Sequence, residues 1–155
     1  MTSQEPVFVT VEPSDSRFRA FVSIESLMSM EGDPEPVLQK AAELYENALM
    51  NMRPLIVDIE AHRAHHKPIP ARMIWKLGDT VFQLRSQLEA LSLQLNDVYA
   101  HLVRDLDVKR KWLEKVIILR RYLPTEDLIP QHLNWGRLEK GTRRLAERLR
   151  DGLAL

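Results

Sequence analysis

The sequence predicts a mainly α protein: an N-terminal β-hairpin, long antiparallel helices sharing a heptad seam, and a C-terminal helix-turn-helix followed by a basic helix. Three observations carry this prediction. From Val37 onward, apolar residues recur at spacings of three and four, the period of an amphipathic helix. Before that point, residues 7–11 and 17–24 are rich in Val, Phe, Ile and Thr and are separated by Glu12-Pro13-Ser14-Asp15-Ser16, which is good turn chemistry. Finally, the 22 basic and 22 acidic residues cancel overall but are unevenly placed. Residues 101–155 carry 13 Lys/Arg against 8 Asp/Glu, and residues 1–100 carry 9 against 14. An excess of +5 facing one of −5 suggests that the C-terminal part meets a polyanion.

The chain divides into a hairpin arm and linker (1–32), a helical pairing region (33–95), and the helix-turn-helix with its basic helix (96–155). A two-stranded hairpin is marginal in water. The arm is therefore expected either to cover the protein's own core or to lend a sheet edge to a protein partner. Asp33 with Pro34 opens the first long helix, since Asp caps well and Pro lacks only an N–H that is unsatisfied there anyway. Its apolar face is Val37, Leu38, Ala41, Leu44, Tyr45, Ala48, Leu49 and Met52. Pro54 is expected to kink or break it by clashing with the preceding turn. Leu55, Ile56 and Ile59 then resume the helix to about His65.

The next helix starts near Pro70. Ile74, Leu77, Val81, Leu84, Leu88, Leu91 and Leu95 alternate by three and four along it, the a/d seam of a coiled coil, the first six forming the candidate dimerisation set. That seam can close on the first long helix or pair two copies, and a homodimer is the expectation, because helix-turn-helix proteins gain affinity from two half-sites. Gly78, inside this helix, points to a close helix approach. Asn96 is placed to cap a short helix ending at Leu106. Asp107 stands at the turn, as one of the few non-glycine residues that visits the left-handed region at tolerable cost.

The second helix of the motif, Lys109 to about Tyr122, opens with Lys109, Arg110 and Lys111. Cations there oppose the helix dipole, so a phosphate or base partner would account for them. Leu113, Val116, Ile117 and the stem of Arg120 face inward, while Trp112 can pack or stack on sugar. After Pro124 and a loop, a last helix capped by Asn134 is expected to run to about Asp151, with Leu138, Leu145, Ala146 and Leu149 inside. The DNA-contacting set is Lys109, Arg110, Lys111, Lys115, Arg121, Arg137, Lys140, Arg143 and Arg144. Arginine can pair bidentately with guanine, and lysine holds phosphates.

Enzymatic chemistry finds little support. Asp58, His62, His65 and His66 share helix positions that a metal could use, but Arg63 occupies the place of the glutamate in an HExxH site. Histidines in a last helical turn also complement the dipole. No cofactor or metal is expected. Without cysteine, a signal peptide or about 18 continuous apolar residues, the chain reads as cytoplasmic and not membrane-bound.

Within residues 74–138, the segments Ile74-Trp75-Lys76-Leu77-Gly78, Lys111-Trp112-Leu113, Arg121-Tyr122-Leu123-Pro124 and Leu133-Asn134-Trp135, with the helix running into Asp107, occur in a recognisable order. This order resembles the N-terminal winged-helix-like domain of the YhcG-type bacterial nucleases. The resemblance implies binding of DNA or nucleoprotein. The nuclease domain of that family has no counterpart here, so no catalysis is implied. The expectation is a non-enzymatic double-stranded DNA-binding protein, a regulator or an accessory of a mobile-element or defence system. The alternative is a helical adaptor that assembles other proteins through its hairpin and seam.

Overall fold

The computed structural model describes residues 32–33, 35–91 and 98–155, together with the backbone alone of residues 6–10 and 19–23. The described residues are mainly helical. The helices are α1 (Glu35–Ala64), α2 (Ala71–Ala90), α3 (Val98–Leu106), α4 (Arg110–Tyr122), α5 (Trp135–Glu139) and α6 (Thr142–Arg150), with a 3-10 turn at Glu126–Leu128. The backbones of β1 (Pro6–Thr10) and β2 (Arg19–Ser23) pair antiparallel, with Phe8 opposite Phe21. The turn between them and the side chains that would tell a core lid from a partner-binding edge lie outside the described residues, as do Leu95, Asn96 and Asp97. None of the described helices is long and apolar enough to cross a membrane.

The chain forms two compact units, each drawn from two stretches of sequence: Met1–Met50 with Gln83–Val108, and Asn51–Phe82 with Lys109–Leu155. Helices α1 and α2 each contribute to both units, and the two helices of the expected helix-turn-helix fall one in each.

In the first unit, the Asp33 carboxylate accepts the Glu35 amide at 3.0 Å, starting α1 as its position suggests. Leu38, Ala41, Ala42, Tyr45 and Leu49 are buried along this helix. The Tyr45 hydroxyl donates to Oδ2 of Asp105 on α3. The Asp105 carboxylate, itself buried, also receives Nε and Nη2 of Arg104 at 2.9 and 3.1 Å. Arg104 Nη2 lies 3.3 Å from Nδ1 of the buried His101. A buried carboxylate needs such donors, because its desolvation cost is large when they are missing. The end of α3 is closed by bonds from Asp107 N to Arg104 O and from Val108 N to Val103 O. Asp107 takes φ 54, the left-handed conformation expected of it. His66, which belongs to the second unit, does the same at the end of α1, with φ 54 and bonds from His66 N to Arg63 O and Lys67 N to His62 O. The His62 Nδ1 donates to the Asp58 carbonyl at 2.7 Å. The histidine run is thus engaged in ending a helix, and no group of three metal-ligating side chains comes together among the described residues.

The second unit is built around the crossing of α2 and α4. A Cβ added at Gly78 would lie 2.8 Å from the Val116 carbonyl and 2.9 Å from the Arg120 Cβ, so only glycine permits the approach. Beside this contact, the Arg120 guanidinium bonds Asp79 at 2.8 Å. It lies 5.3 Å from the centroid of the Trp75 ring and 4.0 Å from that of Phe82. The sequence placed only the stem of Arg120 inside, but the whole side chain is largely buried. The Trp75 indole donates to the Leu123 carbonyl at 2.8 Å, and Arg72 Nε donates to the Ile129 carbonyl at 2.7 Å. Pro70 and Asn134 face each other in an antiparallel bridge whose bonds, Trp135 N to Ile69 O and Ala71 N to Leu133 O, come from their neighbours. In such a pair the Pro70 nitrogen is not asked to donate, so the proline costs no ladder bond.

Three expectations are corrected. Of the kink or break expected at Pro54, the break does not occur, since α1 continues through it to Ala64. Asn134 stands at the N-cap of α5 but makes no side-chain cap bond, its backbone being held by the bridge to Pro70. The single last helix is two, α5 and α6. Gly141, a poor helix former, lies between them, and the Thr142 hydroxyl takes up the Leu138 carbonyl at 3.0 Å. Of the seam residues, Ile74, Leu77, Val81, Leu84 and Leu88 are at most 4% exposed in a single chain, and Leu91 is half-buried.

Two outcomes follow from this packing. Gly78→Ala should lower stability by about 1–3 kcal/mol in denaturant unfolding, because the helices must separate. At an uncrowded helical site the same change would raise it by about 1 kcal/mol. For Tyr45, burial first and the Asp105 hydrogen bond second hold the hydroxyl well above its ordinary value of 10.0. The unfolded chain loses that proton near pH 10.0 while the folded chain keeps it, so stability is intact below this pH and falls as pH rises beyond it. Tyr45→Phe should cost about 1–3 kcal/mol at neutral pH. The gap to the unmodified protein should narrow in unfolding measured at rising alkaline pH, and a constant gap would contradict this account.

Candidate nucleic-acid interface

All nine residues of the expected DNA-contacting set lie in the second unit. Recounting charge by unit sharpens the split that was visible along the sequence. The second unit has 17 Lys/Arg and 9 Asp/Glu, a formal charge of +8, and the first has 5 and 13, a formal charge of −8.

Helix α4 supplies the centre of this surface. Lys109 is its N-cap residue, in extended conformation and with no side-chain cap bond, and the first turn contains no acidic residue. Leu113, Val116, Leu119 and Arg120 are buried, so the face that packs against Gly78 is fixed. Two rows remain accessible on the rest of the helix. Lys111, Lys115, Ile118 and Tyr122 follow one another at four, three and four residues, as one stripe. Arg110, Glu114, Ile117 and Arg121 form the second, in which Arg110 Nε contacts Glu114 at 3.4 Å. Lys109, Lys111 and Arg121 are exposed and Lys115 is half-buried. No carboxylate among the described residues pairs with any of these four. Trp112 is half-buried, with the Arg63 guanidinium 5.4 Å from its ring centroid. It packs here.

Helix α6 lies against α4. Leu145, Ala146 and Leu149 are buried, as the sequence placed them. Arg143, Glu147 and Arg150 share the flank that meets Tyr122. The Arg143 and Arg150 guanidinium groups lie 5.5 and 5.9 Å from the centroid of its ring. Arg143 Nε contacts Glu147 at 3.4 Å, and Arg150 Nε contacts Asp151 at the same distance. The Arg144 guanidinium lies over Gly141. Arg137 and Lys140 are exposed on α5 and its C-cap. The structure therefore brings α4 and Arg143 together. Arg150 and Tyr122, absent from the sequence-based set, complete the cluster. Their only trace in the sequence is the seven-residue spacing of Arg143 and Arg150.

Neither protein families, nor curated proteins, nor solved structures yield a match to the chain.

Lys111 sits in the first turn of α4, where the partial positive charge of the helix end repels it. Lys111→Glu should raise stability by about 0.3–1 kcal/mol in thermal unfolding at low salt, with the gain shrinking as salt is added. A residue whose replacement stabilises the fold is held there by something other than folding.

Proposed function

We propose that the protein is a non-enzymatic double-stranded DNA-binding protein whose contact surface is the basic second unit, with α4 as the reading helix. The observation that carries this is the segregation of charge. Among the described residues, no carboxylate pairs with Lys109, Lys111, Lys115 or Arg121 of the +8 unit, and Lys109 at the N-cap and Lys111 in the first turn of α4 stand against the helix dipole. Cations of this kind release counterions when they meet phosphates, which favours binding to a duplex irrespective of sequence. An exposed arginine beside them can add guanine recognition.

The likeness to the N-terminal domain of the YhcG-type nucleases points the same way. Its motif residues Trp75, Gly78, Leu123 and Trp135 are packing residues of the second unit, so the likeness concerns the scaffold that presents α4. A role as a regulator or as an accessory of a mobile-element or defence system belongs to the same proposal. Dimerisation through the α2 seam is not part of it.

Arg110→Ala and Lys111→Ala should each weaken duplex binding about tenfold or more in fluorescence anisotropy, with the helical circular dichroism signal retained. Arg110→Ala should also relax any sequence preference, whereas Lys111→Ala should act equally on all duplexes. Unchanged affinity in both variants at moderate salt would overturn the proposal.

A further inference from the structure

The geometry points to a second phosphate-contact station on the same unit: the Tyr122 ring with Arg143 and Arg150, placed to hold a phosphodiester of the nucleic-acid backbone. This rests on the DNA-binding reading above and deepens it, because it assigns a position for the backbone along the length of α4.

Tyr122 ends α4 half-buried, and two guanidinium groups two turns apart on α6 converge on its ring at 5.5 and 5.9 Å. One arginine there would be an ordinary cation–π contact that helps α6 pack. Two on one ring repel each other, and the exposed Arg121 next in the chain adds a third cation. A bridging anion converts that repulsion into attraction. Arg143 also occupies the first turn of α6, where the helix dipole disfavours a cation, as it does for Arg110 and Lys111 on α4.

The carboxylates nearby do not fill the role. Glu147 and Asp151 each contact an Nε at 3.4 Å, at exposed positions where ion pairs contribute little. A guanidinium carries five N–H donors in a fork suited to phosphate, so these contacts leave most of it unused. The ring holds both forks in place before an anion arrives, which lowers the entropy lost on binding.

The station is also in line with the rest of the surface. Tyr122 ends the stripe that begins at Lys111, eleven residues or about 16 Å away along the axis. That length is several times the axial rise of about 3.4 Å per nucleotide of one DNA strand, so the two ends of the stripe would meet different phosphates. Lys111 and Lys115 at one end and the arginine pair at the other would hold phosphates of one backbone segment. The pair contributes affinity without sequence preference.

The test is duplex binding by fluorescence anisotropy across about 50–200 mM salt, for two unrelated sequences. The double variant Arg143→Gln/Arg150→Gln should weaken binding about tenfold or more at the low-salt end. It should reduce the slope of log affinity against log salt by about two, equally on both duplexes. Arg150→Gln alone, which leaves the Arg143–Glu147 pair in place, should reduce the slope by about one. Tyr122→Leu should weaken binding and Tyr122→Phe should restore it, since the ring and not the hydroxyl positions the arginines. An unchanged slope in both arginine variants, with the unmodified protein binding normally, would overturn the station and leave the DNA-binding reading standing. Failure of the unmodified protein to bind either duplex in a salt-dependent way would overturn both.

Discussion

The second unit depends on a buried cation. Arg120 leaves α4 with its guanidinium held by Asp79 and covered by Trp75 and Phe82, beside a helix crossing that only Gly78 allows. These features require one another. Without the close approach at Gly78, the arginine stem would not reach Asp79. Without Asp79, a charge would stay buried unpaired, a loss of about 3–5 kcal/mol where such pairs are broken. The Trp75 bond to the Leu123 carbonyl fixes α4 again at its C-terminal end. Held at these two places, α4 has a fixed rotation, and so the stripe from Lys111 to Tyr122 stays outward. The function proposed for the surface rests on this packing beneath it.

Much of this was legible in the sequence, for physical reasons that can be named. The three- and four-residue spacing gave the long helices because a buried face leaves that trace whichever partner covers it. Gly78 marked a close approach because glycine inside a helix is otherwise a cost. Asp107 marked a left-handed turn because few side chains tolerate one. What the spacing could not say was which surface covers the α2 seam, since a leucine row reads alike in a core and in a dimer. Pro54 misled because the clash it implies can be absorbed within a continuous helix. The break at Gly141 was hidden because the apolar period of Leu138, Leu145 and Leu149 runs through it unchanged.

The candidate surface was legible in its residue types and less so in its arrangement. Local charge runs identified Lys109, Arg110 and Lys111. The Tyr122 cluster joins residues that are distant in sequence, and no local pattern reports that Arg143 and Arg150 share one ring. The unit boundary was equally invisible, since each unit takes one stretch from each half of the chain. Counting by halves therefore understated a charge separation that follows the folded units.

That separation has a consequence for how the protein behaves in bulk. A chain with a formal charge of zero would ordinarily pass through ion-exchange media of either sign. This one carries +8 on one compact unit and −8 on the other, so each medium meets a region that it retains. The two formal charges belong to different compact units, so the net charge of zero describes neither of them.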